Sequence, residues 1–247
     1  MIERLLKRPI AHRGLHSKAE KRVENTLAAA AAAIAKGYAI ECDIQRSKDG
    51  EAMVFHDFRL DRLLQADGRL DAFTARELGA IPFREGDERI ATLPQLLIEV
   101  RGQAPLVVEI KSRFDGDLRL ADRAIELAAS YGGALYLKSF DPEVLAHIRA
   151  AGVACPLGLI AQAHYGDEED WAHLTPERRS LLTTLCDYAR VAPNFLSWRV
   201  GDLPHAIPQL FRAGIGLPVV TWTVRSHEAR TAAAPWADQI IFEGFEA

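Results

Sequence analysis

Short apolar runs of four to eight residues alternate with longer helix-like stretches from one end of this 247-residue chain to the other. A run that short, apolar on both faces, suits a strand of a parallel sheet covered on both sides. The longer stretches suit the helices that cross over between such strands. Eight candidate strands lie near Ile10–Arg13, Ala39–Gln45, Leu106–Lys111, Leu135–Ser139, Leu157–Ala161, Val191–Asn194, Val219–Val224 and Gln239–Phe242. Helical candidates fall at Asn25–Lys36, Leu118–Ser130, Pro142–Ala151, Pro176–Tyr188, Leu203–Ala213 and Ser226–Ala234, several stopped by a glycine such as Gly37, Gly152 or Gly214. Eight strands with intervening helices predict an α/β fold, a single (β/α)8 TIM barrel over residues 1–247. Ala52–Pro105 is too long for one crossover. It predicts a small insertion before the third barrel strand, at about residues 58–105, with a helix at Leu93–Val100.

Composition narrows the class of partner. Hydrophobic residues make up 49% and charged residues 26%, so the chain can build an ordinary globular core. The formal charge is −4 and no segment gathers a basic run, which argues against a nucleic-acid partner. The three cysteines, Cys42, Cys155 and Cys186, are widely spaced with no C-x-x-C, as expected of reduced thiols in the cytoplasm. The longest apolar run, Leu27–Ala35, is far shorter than the roughly 20 residues of a membrane span. The charged N-terminal residues Glu3, Arg4, Lys7 and Arg8 leave no room for the apolar segment of a signal peptide, so a cytoplasmic location is expected. Nothing in the pattern requires an oligomer.

Several strands break the apolar rule at one end. In AIECDIQ, Glu41 and Asp43 are two apart and project from one face, with Cys42 on the other. Two carboxylates side by side repel each other unless a cation sits between them, and oxygen-only ligands favour a hard ion such as Mg²⁺ or Ca²⁺. LVVEIK repeats the arrangement with Glu109 and Lys111, so Glu109 can complete a three-carboxylate metal site; a structural Glu109–Lys111 ion pair is the plainer alternative. His12 in IAHRG and His56 in MVFHD follow short apolar runs and could trade protons near neutral pH as general acid and base. Arg13 offers a fork for phosphate oxygens and Gly14 a sharp turn.

The ordered set AHRG, ENT (Glu24–Thr26), ECDIQRSKDG (Glu41–Gly50), VFHD, TLPQLL (Thr92–Leu97), VEIK, SFDP (Ser139–Pro142) and VTWTV (Val220–Val224) resembles the motifs of glycerophosphodiester phosphodiesterases across nearly the whole chain. That resemblance implies a (β/α)8 barrel with an insertion before its third strand, and metal-dependent hydrolysis of glycerophosphodiesters to sn-glycerol 3-phosphate and an alcohol. It implies His12 and His56 as the catalytic pair; the roles within the pair stay open, and we take His56 as the base and His12 as the acid. Glu41, Asp43 and Glu109 would be the ligands of one divalent ion, and Arg13 and Lys111 the phosphate contacts. Trp222, a core residue on its own pattern, would lie near the glycerol. Lys138 departs from the small or apolar residue usual in the family, and its strand-end place suggests a phosphate contact. The C-terminus also departs: QIIFEGFEA replaces Gly-x-x-Thr-Asp-x-Pro, and Glu243 either reaches the barrel mouth in place of the usual Asp or, the reading preferred here, is a solvated terminal residue. His16 and the other histidines are read as surface residues, His16 being the one near the expected mouth. Two alternatives stay open. One is a lysophospholipase D-like diesterase, whose acyl entrance would use Phe58, Leu60, Leu63, Leu64, Phe73, Ile81 and Phe83 of the insertion; the other is a non-catalytic barrel that binds phosphorylated ligands.

Overall fold

The computed structural model describes residues 2–166 and 171–247. Nine strands occur in chain order: β1 (Ile10–Ala11), β2 (Ala39–Arg46), β3 (Ala52–Val54), β4 (Leu106–Ile110), β5 (Leu135–Ser139), β6 (Leu157–Ala161), β7 (Phe195–Arg199), β8 (Val219–Val224) and β9 (Gln239–Phe242). All but β3 are parallel, and β1 pairs with both β2 and β9, so the eight form a closed ring. The helices are α1 (Ile2–Leu6), α2 (Leu27–Ala35), α3 (Ala75–Ala80), α4 (Leu93–Val100), α5 (Arg119–Ser130), α6 (Pro142–Ala150), α7 (Pro176–Thr183), α8 (Tyr188–Val191), α9 (Ala206–Gln209) and α10 (His227–Ala233). The architecture is a single (β/α)8 barrel, and no helix among the described residues is long and apolar enough to cross a membrane.

Alternation along each strand builds two apolar layers. Ile40, Cys42, Ile44, Val108 and Ile110 face outward into the shell of helices. Ala39, Val107, Tyr136, Phe195, Val220 and Ile241 point inward, and Leu5 of α1 joins them to close one end of the barrel. The inward positions further along β2, β4 and β5 are Glu41, Asp43, Glu109 and Lys138. The polar cluster therefore sits on a dry apolar floor. Gly158 keeps that floor compact, because a Cβ there would lie 2.2 Å from the buried Phe195 ring.

Between β2 and β4, β3 folds back antiparallel on β2, with Ile44 opposite Val54. The insertion then makes its own core from Met53, Phe55, Leu60, Leu64, Leu70, Leu78 and Phe83, with Leu63, Phe73 and Ile81 packed against it. Most of the apolar side chains that could have lined an acyl entrance are consumed by this packing.

Some boundaries differ from expectation, each for a local reason. Val191–Asn194 is not a strand. Val191 ends α8, Ala192 turns left-handed at φ 45°, and the Asn194 side chain accepts from Leu157 N, so β7 begins only at Phe195. The expected helix at Pro176–Tyr188 stops at Thr183 and resumes as α8. Leu203–Ala213 becomes helical only from Ala206, after the bond to Pro204, and ends in a wider π-type turn. The first strand shortens to Ile10–Ala11 because Arg13 (φ 56°) and Gly14 (φ 75°) turn the chain out of the barrel.

Gly14 is required on two counts: its positive φ, and the approach of Ala29 of α2, whose carbonyl carbon would lie 2.8 Å from an added Cβ. Gly14→Ala is therefore expected to cost about 2–4 kcal/mol, from left-handed backbone strain plus overpacking against main chain. Thermal or urea unfolding checks this; an unchanged midpoint would mean that α2 moves aside freely.

Candidate active site

Register brings the charged residues together. Asp43 of β2 lies beside Glu109 of β4, and Glu109 beside Lys138 of β5. Because side chains two apart share a face, Glu41 and Asp43 both project into the barrel with Glu109. Ligand-capable oxygens of Glu41, Asp43 and Glu109 lie within 4.8 Å of one another, and all three residues are buried.

Cations separate the carboxylates in an alternating chain. Lys111 Nζ is 2.9 Å from Asp43 Oδ1 and 2.5 Å from Glu109 Oε1; Lys138 Nζ is 3.2 Å from Glu109 Oε2 and 3.0 Å from Glu41 Oε1. Arg13 closes the other side, with Nε 3.3 Å from Asp43 Oδ2 and its backbone N–H donating to Glu41 Oε2 at 3.0 Å. Burial alone would raise the Asp43 carboxyl, but Lys111, His56 and Arg13 hold it well below the usual range. Burial likewise opposes the charge on Lys111, yet Asp43 and Glu109 hold it firmly ionised. Asn25, in the left-handed region at φ 57°, completes the set by exchanging hydrogen bonds with Asp43. Its Nδ2 donates to Oδ2 at 2.9 Å, and Asp43 N donates to Asn25 Oδ1 at 3.1 Å.

Both histidines sit at the rim of this cluster. His12 follows β1, with Nε2 4.0 Å from Glu41 Oε2. His56 follows β3, and its place beside Asp43 is set by backbone bonds: Phe55 N donates to Asp43 O at 3.0 Å, and Gln45 Nε2 donates to His56 O at 2.8 Å. Each ring is tied through Nδ1 to a carboxylate, His12 to Glu243 Oε2 at 2.6 Å and His56 to Asp57 Oδ1 at 2.8 Å. Each carboxylate is held in turn by an arginine, Glu243 by Arg225 at 2.6 Å and Asp57 by Arg62 at 2.6 Å. Despite partial burial, which opposes ionisation, these contacts hold Glu243 and Asp57 well below the usual carboxylate range. Glu24 links Arg62 to Arg13 through bonds of 2.6 and 2.7 Å.

The opposite side of the rim is aromatic. Trp222 on β8 is half-buried; its Nε1 donates to Ser197 O at 3.0 Å, and its ring meets Phe140 edge-on at 5.5 Å. Phe140 continues to Trp171 at 4.9 Å.

The sequence favours a solvated Glu243, and the structure corrects this: Glu243 takes the other position left open to it, at the mouth, where it meets His12 and also His16, the further histidine expected there. The last barrel strand is adjacent to the first, so the residue after Phe242 emerges beside His12, and His16 Nε2 lies 3.7 Å from the same Glu243 oxygen. Arg62 and Arg225 were not singled out, and Glu24 was read only as part of the ENT motif. Arg225 directly follows the VTWTV motif, whereas Arg62, 5 positions beyond Asp57, lies outside every motif. Lys138 is where the register predicts, but its ammonium lies among the carboxylates, and its side chain is only 3% exposed.

The comparisons agree with this geometry. The model of the glycerophosphoryl diester phosphodiesterase family matches residues 12–244. A glycerophosphodiester phosphodiesterase of Caldanaerobacter subterraneus subsp. tengcongensis is 31% identical over 172 residues, 66% of this chain and 69% of that one. The Thermotoga maritima glycerophosphodiester phosphodiesterase structure superposes with a TM-score of 0.70 at 25% identity, covering 94% of this chain and 92% of that one. An Oleispira antarctica phosphodiesterase, solved with the product sn-glycerol-3-phosphate, shares the fold with a TM-score of 0.74 at 20% identity, covering 95% and 91%. The chain belongs to the glycerophosphoryl diester phosphodiesterase family and is a phosphoric diester hydrolase.

Proposed function

We propose that this chain hydrolyses glycerophosphodiesters to sn-glycerol 3-phosphate and an alcohol such as choline or ethanolamine. In this reading Glu41, Asp43 and Glu109 hold one divalent cation, Mg²⁺ or Ca²⁺, and His12 and His56 are the acid–base pair. The observation that carries the reading is the pair of carboxylate-anchored histidines on the rim of a buried three-carboxylate cluster. The donor set fits a hard ion: it is all oxygen, and the buried Glu41 Oε1 faces a cation already, the Lys138 ammonium at 3.0 Å. When bound, such an ion supplies Lewis-acid stabilisation of a phosphoryl oxygen.

The chain's own groups supply the rest. Arg13 and Lys111 offset negative charge that grows on the phosphoryl oxygens, and they are already ionised and oriented by Asp43 and Glu109. With Nδ1 held by a carboxylate, each histidine presents Nε2 to the reacting atoms. The same carboxylate stabilises the imidazolium that proton transfer creates. His56 takes the proton of the nucleophile and His12 gives one to the leaving alkoxide; attack by water gives glycerol 3-phosphate directly, whereas attack by the glycerol 2-hydroxyl gives a cyclic phosphate that a water molecule then opens. Trp222 supplies an apolar face for the glycerol carbons. The closed ring and the match over residues 12–244 support one such barrel domain over residues 1–247, and three unpaired cysteines suit the reducing cytoplasm.

Purified protein should release glycerol 3-phosphate from glycerophosphocholine with Mg²⁺ or Ca²⁺ and stop in EDTA. A folded protein inactive with every divalent ion would overturn the assignment, and faster turnover of a long-chain lysolipid would move it to lysophospholipase D chemistry.

Glu243→Gln should lower kcat about 10–100-fold with KM little changed, the scale expected when a carboxylate that orients a functional imidazole is lost. Arg225→Ala should act in the same direction but more weakly, because Arg225 reaches His12 only through Glu243. Steady-state kinetics at neutral pH checks both; unchanged kcat in Glu243→Gln would remove the orienting role.

A further inference from the structure

Two lysines enter the acidic cluster, and they are not equivalent. Lys111 follows the end of β4, and its side chain is 14% exposed, so its ammonium can turn toward a phosphate at the mouth. Lys138 lies within β5, one layer with Asp43 and Glu109, and its side chain is 3% exposed. Its neighbour across the next strand pair is Gly158, above the packed ring of Phe195. From there Lys138 bridges Glu109 Oε2 and Glu41 Oε1. With Lys111 it places two ammonium groups among the three carboxylates, while Arg13, shared with Glu24, closes the remaining side.

We propose that the Lys138 ammonium is a built-in cation that competes with a divalent metal for Glu41 and Glu109, and so sets a weak metal affinity for this site. The inference rests on the proposed metal reading and deepens it. A metal ion entering the triad must displace the ammonium from oxygens it already neutralises, or bind beside a fixed positive charge. Either cost is large where water does not screen the charges. Lys138 is thereby a positioning and affinity-setting residue rather than a contact to substrate. A chain with an uncharged residue at this position would hold its ion more tightly and need less of it in solution.

The test is direct binding of Mn²⁺ and Mg²⁺ to the full chain without substrate, by calorimetry and by the rise in melting temperature on adding the ion. Lys138→Gln keeps a hydrogen-bond donor for Glu41 and Glu109 while deleting the charge, and Lys138→Met deletes both without adding a ligand oxygen. Both variants are expected to bind each ion at least tenfold more tightly than the parent chain, with a larger metal-induced rise in melting temperature. Equal or weaker affinity in both variants overturns the proposal. So does tightening in Lys138→Gln alone, which would mean that the new amide oxygen is a ligand. Hydrolysis of glycerophosphocholine is measured separately. Tighter binding with no hydrolysis would sink the functional reading and leave this inference standing, whereas metal-dependent hydrolysis with unchanged affinities would do the reverse.

Discussion

Alanine at His12 or at His56 is expected to lower kcat about 10²–10⁴-fold while leaving the melting temperature nearly unchanged, the usual scale for losing one general acid or base. Stability should survive because both rings stand at the rim, and neither is part of an apolar core cluster. The two variants should differ in one respect. An alkoxide such as that of choline must be protonated as it leaves, whereas a p-nitrophenolate leaves without help. A glycerophosphoryl p-nitrophenyl ester should therefore restore most of the rate to the variant lacking the acid, and little to the variant lacking the base. With His12 as the acid, rescue is expected in His12→Ala and not in His56→Ala. Rescue in the other variant would exchange the roles, and full activity in either single variant on the choline ester would remove that histidine from the chemistry.

The way the two histidines are held explains what could be read from the sequence and what could not. Strand faces follow from a period of two, so the sequence alone puts Glu41 and Asp43 on one face of their strand with Cys42 on the other, and Glu109 with Lys111 on one face of theirs. The barrel itself was legible because eight apolar runs with helices between them have few other ways to cover both faces. Glu243 was misread because its partner lies 231 positions away in sequence. Only ring closure, which pairs β9 with β1, brings the two together. The Val191–Asn194 error has a different origin. The true strand, Phe195–Arg199, has its apolar run interrupted by Ser197 and closed by Arg199, and the signal that ends α8 is the left-handed turn at Ala192. The sequence puts Lys138 at a strand end and suggests a phosphate contact at the mouth of the barrel. A strand-end position in sequence does not reveal how deep the side chain lies; the layer of Asp43, Glu109 and Gly158 beside it does.

Asp43→Ala should be the most damaging single substitution, abolishing hydrolysis and costing about 3–5 kcal/mol of stability, the scale for removing one partner of a buried ion pair. Asp43 is 1% exposed and accepts from Asn25 while facing both Lys111 and Arg13, so its removal leaves two cations turned toward a vacant corner. The sign of the pH dependence separates this charge effect from lost packing. Burial opposes ionisation of Asp43, but Lys111 and its other neighbours win, and its pKa in the folded chain lies well below the ordinary value of 3.8. Its contribution is therefore fully present above pH 3.8 and declines as pH falls below that value toward the folded one. The stability gap between the parent chain and Asp43→Ala should be widest near pH 7 and begin to close below about pH 4 in acid-titrated thermal melts. A gap that stays constant down to pH 3 would assign the loss to the missing side-chain volume. Asp43→Asn provides the complementary comparison: it keeps the shape and can keep the Asn25 contact while deleting the charge. Retained fold with no hydrolysis in that variant would assign the loss of activity to the carboxylate's charge rather than to its bulk.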